Sequence, residues 1–524
     1  MDRNTLLSLD IGTQSVRALA FAADGELIDY CRTVYAPAYR SPHPGWAEQD
    51  PVYYWQALCQ TCRKLWKKGR VRPESIAGVA LTAQRATVVN LDRSGKPLRP
   101  AILWLDQRKA GTVPRLGPLW RCLFRLAGIG GTISHFQAEA KANWIKAHQP
   151  EIWQQTNHFL LLSGYIHFRL TGLFRDSIAC QVGYLPFSYK RQQWERKGDW
   201  KWEALAIRPE TLPELVPPGK QLGEISAYAA AATGIPRGTP VIAAASDKAC
   251  EIVGSGCMRP FQGCIGYGTT ATISVNSDRY FEPVALAPAF PSAKPGAFNA
   301  EVQIFRGFWM VTWFKEQFAH LERTIASETG VDPETVLEQR AARVPPGSLG
   351  LTVQPYWTPG LRFPGPEAKG SIIGFGADHK REHMFRAILE GLAYGLREGR
   401  EKIEKRGGRD MTELRICGGG AKSDLAMQIT ADVFGIPAIR PQVTETSGLG
   451  AAILASVGCG IHPDIDRAVK DMTRTGRVFE PKPETTALYD SLYKNVYRKM
   501  YSKLRPLFRS IRTITGYPGL PGGK

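Results

Sequence analysis

Apolar and polar positions along this chain fall into blocks, and the period changes from block to block. Short apolar runs, each stopped by glycine, a small hydroxyl residue or a carboxylate, alternate with longer stretches whose apolar residues recur every three or four positions. The first run is Thr5 to Leu9, which leads into Asp10-Ile11-Gly12-Thr13-Gln14-Ser15. Val16 to Phe21 follows and then, after an Asp24-Gly25 turn, Glu26 to Val34. Such runs predict buried strands, and Asp-Gly between two of them signals a hairpin. Pro51 to Lys67, entered after Asp50, has the spacing of an amphipathic helix. Ile76 to Ala83 and Thr87 to Leu91 predict two more strands, and the apolar segment Ile152 to Arg169 is expected to be partly helical.

The second half repeats the theme. Val241 to Ala245 predicts a strand running into Ser246-Asp247. Cys264 to Tyr267 runs into Gly268-Thr269-Thr270, and Ala271 to Val275 continues beyond it. In Glu382 to Lys405, the residues Phe385, Ile388, Leu389, Leu392 and Leu396 lie at helical spacing, and Gly407-Gly408 ends the helix. Leu414 to Cys417 predicts a strand running into Gly418-Gly419-Gly420-Ala421. Helices are expected over Ser423 to Val433 and Leu449 to Val457. Strands alternating with helices predict an α/β protein. The recurring strand, glycine-hydroxyl turn and strand place a domain junction near Gly254 to Gln262. The end from Tyr517, rich in Gly and Pro, is expected to fray.

At 524 residues the chain is too long for one core, so two or more domains are expected. Its 43% hydrophobic and 22% charged residues suit a globular protein in water. No segment approaches twenty uninterrupted apolar residues, and the start lacks the apolar core of a signal peptide. A cytoplasmic location and reduced thiols are therefore the expectation. Cys59 and Cys62 have CxxC spacing without a second such pair, so they read as buried helix cysteines rather than zinc ligands. The net charge of +19 gathers around Arg115 to Arg125, Lys190 to Lys201 and Arg498 to Arg512. No nucleic-acid-binding signature accompanies it. It reads as a solvated basic surface that attracts anionic substrates, with no membrane or nucleic-acid partner expected.

Glycine lets the backbone turn sharply and approach a ligand, and successive N–H groups in such a turn attract anions. One such loop early in the chain and another late point to two lobes closing over a nucleotide, hence to phosphoryl transfer. Asp247, at the end of an apolar strand, is the candidate general base; a helix N-cap is the plainer role for that residue. Asp10 faces the first loop, where an ordinary solvated turn aspartate is the alternative. Lys248, beside Asp247, could lower its pKa, bind an anionic group on the acceptor, or point to solvent. Phe308, Trp309 and Trp313 could wall a sugar face or pack in the core.

Taken in order, these motifs resemble the FGGY carbohydrate kinases. Gly370-Ser371-Ile372-Ile373-Gly374-Phe375 with His383 to Glu390 is similar to that family's C-terminal signature. Phe136 to Trp144 is similar to its N-terminal one, with Lys141 and Trp144 in place and Ala138 as a departure. The resemblance implies two ribonuclease-H-like, actin-like ATPase domains with a cleft between them. Residues 1–255 would supply the acceptor site and base, 256–485 the nucleotide clamp, and 486–524 a basic tail. It implies ATP and Mg²⁺, the metal held by Asp10 and the phosphates lined by Gly12, Thr13, Gln14, Ser15 and Arg17. Gly268, Thr269 and Thr270 would form the second phosphate loop. Gly418, Gly419, Gly420 and Ala421 would form the adenosine side, with Asp424 and Gln428 behind them. Dimers are common in the family.

Thr82 to Thr87 and Ile102 to Arg108 resemble the glycerol kinase branch, which implies Gln84, Arg85 and Trp104 at the acceptor. Phe136, Ala86 and Lys248 stand where that branch has Tyr, Glu and Gln, so glycerol is a poor guess. The expected acceptor is a pentose, pentitol, ketose or similar molecule. Arg343 to Ser348 resembles the autoinducer-2 kinase branch, which leaves a linear polyol as an alternative. An ATP-binding sensor or scaffold without transfer is the alternative of another class.

Overall fold

The computed structural model describes residues 4–360 and 364–517, and they build two lobes around two large sheets. In the first lobe β1 (Thr5–Ile11) pairs antiparallel with β2 (Ser15–Phe21), and β2 with β3 (Leu27–Val34). On its other edge β1 pairs in parallel with β4 (Ile76–Ala83). Two later strands, β5 (Gln221–Glu224) and β6 (Pro240–Ile242), complete the sheet in the order β5-β6-β4-β1-β2-β3. Every residue of β1 is buried, which is why its sequence reads as a continuous apolar run rather than an alternation.

The second lobe follows the same plan. β7 (Gln262–Tyr267) makes a hairpin with β8 (Ala271–Ser277). The short β9 (Phe290–Pro291) and β10 (Phe298–Ile304) extend that edge. On the other side β7 pairs in parallel with β11 (Glu413–Cys417), and β11 with β12 (Ala438–Pro441). β13 (Thr475–Phe479) closes the edge antiparallel. β1, β2, β3, β4 and β6 thus correspond to β7, β8, β10, β11 and β12. The glycine turns after β1 and β7 occupy matching positions.

Helices cover both sheets. α1 (Pro51–Lys67) starts with proline and is capped by Asp50, whose carboxylate accepts from the Val52 N–H. It carries Cys59 and Cys62, and burial pushes both thiols up, that of Cys59 to about 11. α2 (Asp247–Gly254) follows the last parallel strand of the first lobe. α3 (Arg381–Gly407) backs the second sheet, and α4 (Asp424–Phe434) follows the triple glycine. A small four-stranded sheet, built from 48–49, 88–91, 101–102 and 158–161, sits beside the first lobe.

Two placements differ from the reading by sequence neighbourhood. α5 (Thr446–Gly458) leaves the second lobe and packs on the first, where Leu449, Ile453 and Leu454 join Leu6, Leu19, Phe21 and Ala80 in one buried cluster. Its contact with α2 is close because both surfaces are glycine. A Cβ on Gly254 would lie 1.9 Å from the Thr446 carbonyl oxygen, and one on Gly450 would lie 2.0 Å from that of Cys250. The basic stretch near the end is helical: α6 (Arg498–Thr515) buries Met500, Tyr501 and Phe508, with Tyr501 and Phe508 packed beside Tyr356 and Ala368. The Gly- and Pro-rich run beyond Tyr517 lies outside the described residues. Among the described residues no helix is long and apolar enough to cross a membrane.

Candidate active site

The polar residues singled out in the sequence converge because they follow parallel strands of one sheet. Asp10 stands near the end of β1, Gln84 and Arg85 directly after β4, and Asp247 just beyond β6 at the first turn of α2. Ligands of open α/β sheets bind outside these carboxyl ends. Gly268 and Gly418 hold the matching positions after β7 and β11 in the second lobe.

Asp10 is buried, and its Oδ2 accepts from Arg17 Nη1 at 3.0 Å. Arg17 also reaches Glu445 Oε2 at 3.3 Å. Burial pushes the Asp10 carboxyl up to about 6; Arg17 opposes this, while the charges of Asp247 and Glu445 add to it. Asp247 is likewise pushed above the ordinary aspartate value, first by burial, against the pull of Arg85 and Lys248. Asp10 and Glu445 flank Arg17, and the charge of Asp247 reaches Asp10, which leaves a surplus of negative charge on oxygen donors. Oxygen donors of this kind suit a divalent cation such as Mg²⁺.

The first glycine turn is pinned by a chain of hydrogen bonds. Tyr54 OH accepts from Gln84 Nε2 at 3.2 Å, and Gln84 Oε1 accepts from Thr13 Oγ1 at 2.7 Å. Thr13 Oγ1 in turn accepts from Trp104 Nε1 at 2.9 Å. Gln84 and Trp104 therefore brace the turn. Ser15 Oγ accepts from Arg32 Nε at 3.0 Å, and the Gln14 carbonyl accepts from the Tyr35 N–H at 2.9 Å. Gly12 closes the turn by donating to the Ser15 carbonyl at 3.0 Å. Replacing Thr13 with Val keeps its shape but leaves the Gln84 oxygen and the Trp104 N–H without this partner. Such a loss costs about 1–3 kcal/mol. Thr13→Val is therefore expected to lower the melting temperature, read by thermal denaturation.

In the second lobe, Phe308 ties the two glycine segments together. Its N–H donates to the Gly268 carbonyl at 3.0 Å, and its ring packs on Tyr267. Thr270 Oγ1 donates to the Phe305 carbonyl at 3.4 Å, and Thr269 lies between the two in the same turn. Gly418 has φ of 85°, which favours glycine, and a Cβ on Gly420 would lie 2.3 Å from the Phe308 ring. Gly419 has open space around it, and Ala421 offers its carbonyl to Arg440 at 2.6 Å. Phe308 is thus a brace, and Trp313 packs against Phe318 and Trp357.

Four predicted residues are engaged by other side chains. Asp424 is claimed by Arg440 at 2.6 Å and by Arg477, which hold its carboxyl below the usual range; Gln428 bonds Asp432 and the Glu480 carbonyl. Phe136 packs edge-on against Tyr184 and Trp200. Lys248 turns from Asp247 and bonds Glu251 at 3.0 and 3.3 Å beneath Gly266. Residues one apart on a helix do not share a face, whereas i and i+3 do.

The structure also brings in residues that carry no motif. Glu301 of β10 binds both terminal nitrogens of Arg85, and Glu445 completes the group around Arg17. Lys141 and Trp144 work structurally. The Lys141 ammonium donates to the Asp106 carbonyl at 2.8 Å, and the Trp144 ring lies 4.5 Å from the Arg108 guanidinium. Together they anchor the loop that presents Trp104.

Sequence profiles of the FGGY family of carbohydrate kinases match nearly the whole length, the N-terminal domain over residues 5–254 and the C-terminal domain over 263–459. The chain is 28% identical over 498 residues to a xylulose kinase of Lactococcus lactis, covering 93% of this chain and 94% of that protein. It is 30% identical over 498 residues to an autoinducer-2 kinase of Escherichia coli K12, covering 92% of each. Among solved structures, a xylulose kinase from Rhodospirillum rubrum superposes with a TM-score of 0.78 at 26% identity, covering 96% of this chain and 100% of that one.

Proposed function

This chain belongs to the FGGY family of carbohydrate kinases, and from that premise we propose that it transfers the γ-phosphoryl group of ATP to a hydroxyl of a pentose, pentitol or ketose, with Asp247 as general base. The observation that carries the assignment is the position of Asp247. It begins α2 at the carboxyl edge of the first sheet, within the electrostatic reach of Asp10 and 3.9 Å from Arg85. Asp247 Oδ1 accepts the Lys248 N–H at 2.8 Å in the first turn of α2, which orients the carboxylate at the sheet edge.

In this reading the acceptor hydroxyl gives its proton to an Asp247 oxygen while its own oxygen forms a bond to the γ-phosphorus. The bond from that phosphorus to the bridging oxygen of ADP breaks, and ADP leaves with the electron pair. The turn at Gly12–Ser15 and the loops at Gly268–Thr270 and Gly418–Ala421 hold the phosphates and adenosine from the two lobes. Mg²⁺, held by Asp10, would neutralise phosphate charge. Lobe closure excludes water and so suppresses ATP hydrolysis. A cytoplasmic location and a homodimer complete the proposal.

The likeness to autoinducer-2 kinases supports a second acceptor class, linear polyols. ADP release measured with Mg-ATP across ketoses, pentitols, glycerol and linear polyols tests both. Acceptor-dependent ADP release supports transfer and names the class. Bound ATP without acceptor-dependent turnover defeats the kinase reading in favour of a nucleotide-binding sensor or scaffold.

A further inference from the structure

Both cations closest to Asp247 in sequence or space are already paired with buried carboxylates. Arg85 Nη1 and Nη2 donate to Glu301 Oε1 and Oε2 at 3.0 and 3.1 Å, a bidentate pair between the first lobe and the second. The Glu301 side chain is 3% exposed and that of Arg85 is 14%. Ser274 Oγ adds a bond to Glu301 Oε2 at 3.4 Å, Arg85 Nε donates to Ser246 Oγ at 3.4 Å, and the guanidinium lies 5.1 Å from the Phe290 ring centre. Planar two-point pairing leaves a guanidinium little freedom to turn to another carboxylate. Lys248 is consumed by Glu251 in the same manner.

We propose that Glu301 is a specificity-determining residue of the acceptor site: by holding both terminal nitrogens of Arg85 in a two-point pair, it makes the pocket select uncharged sugars and polyols and reject aldonates. This rests on the kinase reading above and deepens it. An acceptor carboxylate near Asp247 would meet the negative charges of Asp247, Asp10 and Glu301. To pair with Arg85 it would first have to break a buried two-point bridge and leave Glu301 unpaired, a large penalty. An uncharged acceptor needs neither change, and the two remaining Arg85 N–H positions stay available to its hydroxyls. Discrimination thus comes from a built-in repulsive element rather than from added attraction. Glu301 acts through Arg85 and is a positioning residue.

Glu301→Gln keeps the size of the side chain and removes its charge. ADP release is measured with D-xylulose as the neutral acceptor and D-gluconate as the aldonate, for the wild type, Glu301→Gln, and Glu301→Gln combined with Arg85→Gln. Calorimetric titration of gluconate and thermal melting accompany the kinetics. The wild type is expected to use the neutral acceptor and ignore gluconate. In Glu301→Gln the ratio of kcat/KM for gluconate over xylulose should rise at least tenfold, mainly through KM, with measurable gluconate binding. The double variant should lose that gain. A wild type that prefers gluconate, an unchanged ratio in a folded Glu301→Gln, or a gain that survives in the double variant overturns the proposal while the kinase reading stands. ATP binding without turnover on any acceptor overturns the kinase reading and this inference with it.

Discussion

Asp247→Asn is expected to cut the rate of phosphoryl transfer by about 10²–10⁴-fold, the usual contribution of a positioned general base. ATP binding should persist, because the glycine turns and Thr13 are untouched. The substitution also separates catalysis from stability. The Asp247 carboxyl is pushed up in the folded protein, chiefly by burial. The native state therefore holds this proton to higher pH than the unfolded chain does, and unfolding stability falls as pH rises through that window. Above it the protein carries the full cost of an ionised buried carboxylate, which Asn avoids. Asp247→Asn should melt higher than the wild type at pH 8, with the difference shrinking toward pH 4. The wild-type rate, which needs the ionised base, should show an acid limb displaced above the ordinary aspartate value of 3.8. Near-wild-type turnover in the variant would remove Asp247 from the mechanism. A lower melting temperature would show that the loss came from folding instead.

Gly450→Ala should be strongly destabilising. The added carbon would sit 2.0 Å from the Cys250 carbonyl oxygen, and Gly254, on the facing surface, has equally little room. The obstacle is backbone on both sides, so no rotamer change relieves it. Overpacking of this kind costs about 1–3 kcal/mol and occasionally more. The effect should reach turnover as well, since prising α5 from α2 moves the helix that begins with Asp247. The control is Gly131→Ala, a helical glycine with nothing within 4 Å of the new carbon, which should melt at or slightly above the wild-type temperature. Equal melting of the two variants would show that the α2–α5 contact is looser than its geometry.

The two sheets were legible because their strands are buried on both faces, and buried strands read as apolar runs whatever surrounds them. Asp10 and Asp247 were legible for the same reason: a carboxylate ending such a run has few structural uses. Glu301 was not. Its strand, Phe298 to Ile304, alternates like many half-buried strands, and its partner Arg85 lies 216 positions away. Lys248 does pull on Asp247 as adjacency suggests, but its ammonium bonds Glu251, because helical geometry sends neighbouring side chains a hundred degrees apart. The signal for its true partner was Glu251, one turn on. The basic end of the chain looked like a solvated tail because its lysines and arginines outnumber the few residues, Met500, Tyr501 and Phe508, that fasten it down.

The placement of α5 also sets a timetable. Leu6, Leu19, Phe21 and Ala80 are made early in synthesis, but the residues that cover them, from Leu449 to Met472, are made only after most of the second lobe. For most of translation the first sheet therefore emerges with one apolar face bare. Folding of the N-terminal lobe cannot finish until α5 has emerged from the ribosome, and a nascent polypeptide stalled before that point offers a hydrophobic surface suited to chaperone capture.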